Sequence, residues 1–231
     1  LIEDGETSVV LDLGSGSLAN LRRYVDYDRL GAVVISHMHA DHFLDLIPLR
    51  YALRYGPRQR KEKLPVHLPP GGLATLSRLV SAFADEGGSF LADVFALSEY
   101  DPSQPLAIGS GKLRFAPTAH YVPAFAIRWD RNGSSMTYSA DTAPDDSVTA
   151  LARGSNLFLC EATLRVDEEE IGPRGHLSAS EAAAMAHNAG VGSLVLTHYG
   201  EESTAADLEA AARPQYAGPI AVADDHAHFE M

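Results

Sequence analysis

The chain has 231 residues, 45% of them hydrophobic, which is the content of a globular protein long enough to bury a core. Its formal charge of −13 supplies no broad basic face and argues against a protein that wraps a polyanion, and its one cysteine, Cys160, rules out a disulfide within the chain. A small anion held at a local cationic centre, such as a pair of metal ions, stays open. A single cysteine suits a reducing cytoplasm, and neither a membrane-length apolar run nor a signal-peptide pattern is visible. The chain opens without a methionine, so the N-terminus is expected to lie further upstream.

In chain order, "TSVVLDLG", "LGAVVISH", "LPVHLP", "LRFAPTAH", "AFAIRWD", "SMTYSAD", "NLFLCEAT", "SLVLTH" and "PIAVAD" read as strands, being short and rich in aliphatic and aromatic residues. Between them, 41–56, 71–88 and 178–190 read as helices. The last opens on Ser178 with Glu181 three residues on, a capping box, and closes at Gly190. "RNGSS" at 131–135 is a hairpin turn signal, and "DEEE" at 167–170 reads as a solvated loop. The fold class is α/β with mixed sheets, in one domain over 1–231.

The stretch from His37 to His42 reads H-x-H-x-D-H, a pattern expected by chance on the order of one time in a thousand at this composition. Four potential ligands crowded together repel when charged and need partners when buried, so a metal is the economical explanation. His37 and His39, two apart in extended chain, leave on one face. Asp41 and His42 are adjacent and should diverge toward a second position. A dinuclear site follows, with metals ~3.5–4 Å apart. One metal takes His37, His39 and a distant histidine; the other takes Asp41, His42 and another, with a carboxylate spanning both. The candidates are His120, Asp141 and His198, each at the end of its own strand. "GAVVISH" and "GSLVLTH" share one form, two buried strands that each emerge at a histidine. Ligands at strand ends are held by the sheet, which suits a rigid site.

Together, "SHMHADH", "TAHYVP", "YSADTAP" and "THYG", in that order, resemble the metallo-β-lactamase superfamily of dinuclear hydrolases. "NLFLCEATL" and "GHLSASEAAAMAHNAGVGSLVLTHYG" are similar to its ribonuclease Z and phosphodiesterase branch. The resemblance implies a four-layer αββα sandwich. It assigns His37, His39 and His120 to one metal and Asp41, His42 and His198 to the other, with Asp141 bridging. It gives His176 the role of approaching the substrate phosphate and protonating the leaving oxygen, and it suggests a homodimer. A segment normally precedes the residue matching Leu1, so the chain is expected to begin partway into the first sheet.

Ribonuclease Z often carries a tRNA-grasping arm between the ligands matching His120 and Asp141. Only twenty residues separate the two here, enough for a hairpin. With the acidic charge, this turns the reading from nucleic acid toward a small phosphodiester such as a cyclic nucleotide, hydrolysed in the cytoplasm. Zinc-dependent β-lactam hydrolysis fits less well, because its usual pattern has no aspartate matching Asp141. The alternatives are an acyl hydrolase acting on a lactone or thioester, which leaves His176 without a role, and a non-catalytic binding protein, which would have lost ligands. The cofactors expected are two divalent ions, Zn²⁺ first, with Mn²⁺ or Fe²⁺ also suited to His/Asp donors. The mechanism expected is attack by a metal-activated hydroxide, oriented by Asp41, with His176 protonating the leaving oxygen.

Other residues receive plainer readings. Glu161 is expected to partner a ligand histidine or to cap the neighbouring loop. His67 and His187 are structural. His226 and His228 in "DDHAH" share one face of a terminal strand. "LGSGS" at 13–17 lacks the lysine and spacing of a P-loop and is a tight turn below the site. Cys160 is buried and inert, and Tyr121 and Tyr199 either touch substrate or pack.

Overall fold

Every stretch read as a strand is one in the computed structural model, which describes residues 1–231 except 4, 6, 85–88, 166, 167, 169 and 171. The described chain divides into two units, Leu1–Asp101 with Ala107–Ser110, and Pro102–Leu106 with Gly111–Met231. The first unit holds β1 (Ile2–Glu3), β2 (Ser8–Leu11), β3 (Ala32–Val34), β4 (Leu64–Leu68) and β5 (Phe95–Glu99), in that order across one sheet. Only the β1–β2 pair is antiparallel. Its helices are α1 (Ser17–Leu21), α2 (Ala40–Phe43), α3 (Leu46–Tyr55), α4 (Gly72–Ser81) and α5 (Ser89–Ala92). In β4, Leu64, Val66 and Leu68 are buried while Pro65 and His67 are less so, the alternation that points one face of a strand at a core. They pack with Val33, Ile35, Leu46 and Leu49, and burying each such side chain contributes about 1.5–3 kcal/mol.

The second sheet runs β12-β11-β10-β9-β8-β7-β6, from β6 (Leu106–Ile108), β7 (Gly111–Pro117), β8 (Phe125–Arg131), β9 (Ser134–Tyr138), β10 (Leu157–Glu161) and β11 (Ser193–Thr197) to β12 (Ile220–Val222). β7, β8 and β9 pair antiparallel, and β9 to β12 pair in parallel, so this sheet is mixed too. The helices are α6 (Asp146–Ala152), α7 (Ala179–Ala189) and α8 (Ala205–Ala212). Asn132 and Gly133 have φ of 49° and 87°, as the hairpin between β8 and β9 requires. The box at the start of α7 forms between Ser178 and Glu181, and Gly190 ends the helix in the left-handed region.

Three expectations change. The helix read over 41–56 is two, because Pro48 cannot donate to the carbonyl of Leu44; the chain restarts so that Pro48 falls in the first turn of α3. Of the helix read over 71–88, α4 covers 72–81, and 85–88 lie outside the described residues. The last strand stops at Val222 and His226 sits in a turn at φ 72°, so His226 and His228 do not share a strand face. β1, β5, β6, α1, α5, α6 and α8 are short elements that the periodicity did not reveal.

Gly111 begins β7 where a Cβ would stand 1.9 Å from Cζ2 of Trp129, a side chain 2% exposed. Gly111→Ala should therefore overpack the core and cost about 1–3 kcal/mol. Urea melts followed by the fluorescence of this sole tryptophan should show a lower midpoint at an unchanged slope; an unchanged midpoint would contradict the packing described.

Candidate metal centre

In the first unit, the end of β3 delivers His37 and the loop into α2 delivers His39, Asp41 and His42. Tyr100 donates to the carbonyls of Ile35 and Ser36 at 3.1 and 3.3 Å, pinning the backbone just before His37. The extended backbone at His39 keeps it on the face of His37, as expected, and Nε2 of His37 lies 3.2 Å from Nδ1 of His39. Asp41 and His42 are neighbours in space as well as in sequence. They fall inside a helical turn, and Oδ2 of Asp41 comes within 3.5 Å of Nε2 of His42. The rings of His37 and His42 are 4.0 Å apart between centroids.

The residue that orders this loop is Asp12, which the sequence reading did not single out. One carboxylate oxygen accepts from the backbone N–H of Ser36 at 2.6 Å. The other accepts from the Ser36 hydroxyl at 2.7 Å and faces Nδ1 of His42 at 2.7 Å. Since the Ser36 hydroxyl spends its proton on Asp12, it accepts from Nδ1 of His37 at 3.0 Å. Nδ1–H is thus engaged on both imidazoles, and Nε2 keeps its lone pair. Asp12, His37 and His42 bring ligand atoms within 4.8 Å of one another. The "LGSGS" turn supports the same loop: a Cβ on Gly14 would lie 1.6 Å from the carbonyl oxygen of Asp41, and Leu13 N–H donates to the His42 carbonyl at 2.7 Å. Only glycine permits that approach. An acidic residue directly after "VVL" was the available signal for Asp12, the same placement that marked Asp141.

In the second unit, His120, Asp141 and His198 follow β7, β9 and β11. Nδ1 of His120 donates to the carbonyl of Gly175 at 2.9 Å. The Thr163 hydroxyl donates to the carbonyl of His198 and accepts from its Nδ1, both at 2.8 Å. The two Nε2 atoms face the carboxylate of Asp141, His120 at 3.8 Å from Oδ2 and His198 at 3.7 Å from Oδ1. One oxygen for each imidazole is the donor arrangement of a carboxylate able to serve two cations. Asp12, Ala140 and His198 have φ of 56°, 52° and 53°, a strained region for residues with a Cβ, and each sits at or beside a site residue.

His176 precedes α7, with a half-buried imidazole whose Nδ1 is 3.0 Å from Oε1 of Glu161. Its ring stacks on that of His198 at 5.9 Å and meets His120 edge-on at 5.1 Å. Asp141, His176 and His198 form a further group with ligand atoms within 4.8 Å of one another. Glu161, fully buried, also accepts from the N–H groups of Thr142 at 2.7 Å and Leu177 at 3.1 Å. It therefore caps the loops after β9 and before α7, and the histidine it partners is His176; His198 is partnered by Thr163. Burial works against the imidazolium of His176, but the hydrogen bond and charge of Glu161, with Asp141 and Glu170, outweigh it and raise its pKa.

Glu170 corrects the solvated reading of 167–170. Asp167 and Glu169 lie outside the described residues and Glu168 is exposed, but the side chain of Glu170 is 9% exposed. It accepts from the N–H groups of Gly175 and His176 at 2.9 and 3.2 Å and from the hydroxyl of Tyr121. That bond, with some burial, pushes the phenol of Tyr121 up to about 12, so it remains a donor. Tyr199 packs, donating to the carbonyl of Ala223 at 2.8 Å. Cys160 is buried, and burial raises its thiol pKa, so it is inert as expected. His67 bonds Ser98 at 2.9 Å within the first sheet, and His187 is exposed on α7. Among the described residues, neither of these nor His226 or His228 joins a group that could hold a metal.

The sequence profile of the Beta-lactamase superfamily domain matches residues 7–199. The uncharacterized protein Rv1339 of Mycobacterium tuberculosis (strain ATCC 25618 / H37Rv) is 35% identical over 215 residues, covering 92% of this chain and 77% of the relative. Ribonuclease Z of Mycobacterium sp. (strain KMS) is 29% identical over 256 residues, covering 100% of this chain and 88% of the relative. The crystal structure of the metallo-beta-lactamase fold protein YhfI from Bacillus subtilis superposes with a TM-score of 0.86 at 27% identity, covering 96% of this chain and 87% of that one.

The donor set fits a divalent cation, since each described Nδ1 partner turns an Nε2 lone pair inward. Asp12→Ala should release the ring of His42 and weaken Zn²⁺ binding about 10–100-fold. Titration against a competing chelator measures this, and affinity unchanged within twofold would remove Asp12 from the centre.

Proposed function

The chain belongs to the beta-lactamase superfamily and has the metallo-beta-lactamase fold, and we propose that it is a metal-dependent phosphodiesterase acting on a small phosphodiester such as a cyclic nucleotide. In this reading His37, His39, Asp41, His42, His120, Asp141 and His198 are the ligands of two divalent cations, Zn²⁺ first among them. The cations would supply Lewis acidity, screening the charge of the phosphodiester and bringing a water toward ionisation near neutral pH.

The chain's own residues account for the rest of the chemistry. Asp41, whose side chain is 64% exposed, has a second carboxylate oxygen to orient the attacking water. His176 is the observation that carries the reading. It lies outside the strand-end set, and Glu161 holds its Nδ1 so that Nε2 presents the proton. Breaking a phosphodiester leaves charge on the departing oxygen, and an imidazolium with a raised pKa can protonate it there. Glu161, through its bonds to Thr142 and Leu177, keeps that ring where the leaving group departs. The connection from His120 to Asp141 is the short β8–β9 hairpin, which favours a small substrate over precursor tRNA. No helix among the described residues is long and apolar enough to cross a membrane, and a sequence with a single cysteine suits a reducing cytoplasm.

Two outcomes follow. Protein purified without chelator and reconstituted with Zn²⁺ should hold about two ions per chain by elemental analysis; a value near zero defeats the dinuclear reading. His176→Ala should keep its metal and lower kcat about 10²–10⁴-fold on diesters with poor leaving groups, with a much smaller loss on activated aryl diesters. Loss of metal would make His176 a ligand, and equal losses on both substrates would make it a phosphate-binding group. Turnover of lactones or thioesters without any diester activity would favour an acyl hydrolase.

A further inference from the structure

Tyr121 follows the ligand His120, yet its ring is 51% exposed. An exposed tyrosine ordinarily samples several rotamers, but this one is held at three places. Its hydroxyl donates to Oε1 of Glu170. Its ring lies against Gly175 so closely that a Cβ there would stand 2.5 Å from the tyrosine Cζ. It is tilted against the ring of His120 and meets that of His176 in an edge-on pair, with centroids at 4.8 and 5.7 Å. The other oxygen of Glu170 accepts from the N–H groups of Gly175 and His176. Arg174, paired with both oxygens of Glu181 at 2.8 and 2.9 Å, approaches Glu170 at 3.7 Å and anchors this loop to the start of α7. A half-exposed aromatic face is thereby fixed beside the imidazole that would protonate a leaving group.

We propose that the open face of Tyr121 is the wall on which a flat ring of the substrate stacks, a nucleobase or aryl group next to the scissile phosphodiester. We also propose that Glu170 is the positioning residue that sets this wall and the loop of His176 together. The substrate class rests on the phosphodiesterase reading above. A pre-ordered aromatic side chain loses little entropy on binding, and every nucleobase has a face to offer it. The phenol proton is committed to Glu170, so the hydroxyl has none to donate to a base and the ring supplies the contact.

The test compares Zn²⁺-loaded wild type, Tyr121→Ala, Tyr121→Phe and Glu170→Ala on a cyclic nucleotide and on the matching cyclic ribose phosphate that lacks the base. Tyr121→Ala should raise KM about ten- to a hundredfold more for the nucleotide than for the base-free substrate. Tyr121→Phe, which keeps the ring, should recover most of the affinity. Glu170→Ala should raise KM for the nucleotide and lower kcat on both substrates, because the loop of His176 loses its tether. Equal losses of Tyr121→Ala on both substrates, or none on either, would overturn the wall. An unchanged kcat in Glu170→Ala would overturn the positioning role. Titration calorimetry with a nucleoside monophosphate separates the two levels. Should wild type hydrolyse neither diester, the phosphodiesterase reading fails, while base-dependent binding lost in Tyr121→Ala and retained in Tyr121→Phe still upholds the wall. If that binding is equal in all variants, the wall fails as well.

Discussion

An imidazole is fixed in one tautomer and orientation when one ring nitrogen gives its proton to an anchored partner, and that arrangement recurs in both units of this protein. His37 and His42 give Nδ1–H to Ser36 and Asp12, His120 gives it to a carbonyl, and His198 gives it to Thr163. A neutral imidazole without such a partner interconverts between tautomers and rotates about its χ2. With the partner it becomes a directed donor. The polar partners are themselves tied down: Asp12 to the backbone of Ser36, and Thr163 to the carbonyl of His198. The chemistry of the site therefore depends on a small lattice of hydrogen bonds that no ligand motif spells out.

The backbone shows what this lattice demands. Asp12, Ala140 and His198 adopt left-handed φ values that a Cβ disfavours. Each occurs where a strand has just ended and the chain must turn at once to present a side chain at the sheet edge. Gly14 meets a related demand, letting one loop pass so close to the carbonyl of Asp41 that no other residue fits. Strand, sharp turn and polar side chain form a repeated device, and the sheet behind supplies the rigidity that local conformation opposes.

His176 and Glu161 differ in kind from the strand-end residues. Glu161 sits inside a buried strand end and spends its charge on backbone N–H groups and one imidazole. A buried carboxylate is expensive unless it is so satisfied. The arrangement ties the position of His176 to the loops after β9 and before α7, and Glu170 repeats it one layer out, with Tyr121 in place of the imidazole.

What the sequence determined by itself was nine of the twelve strands described and the residue types at their ends. Short aliphatic runs such as "AVVIS" and "SLVLT" read as buried strands, and a histidine or aspartate after a run is legible because the two are neighbours in the chain. The capping box of α7 and the turn at Asn132–Gly133 were legible for the same reason, since the bonds that define them span three residues or fewer. Only the tertiary structure decided the partners. Asp12 meets His42 thirty residues away, and His120 meets Gly175 across fifty-five. Glu161 turned out to serve His176, and Asp41 and His42 lie within 3.5 Å of each other in a helical turn. Glu170 looked like one of four solvated acids and became an anchor for Tyr121 and the backbone at Gly175 and His176. In each case the pairing was set by where the sheets deliver distant segments, and a side chain's type does not encode that address.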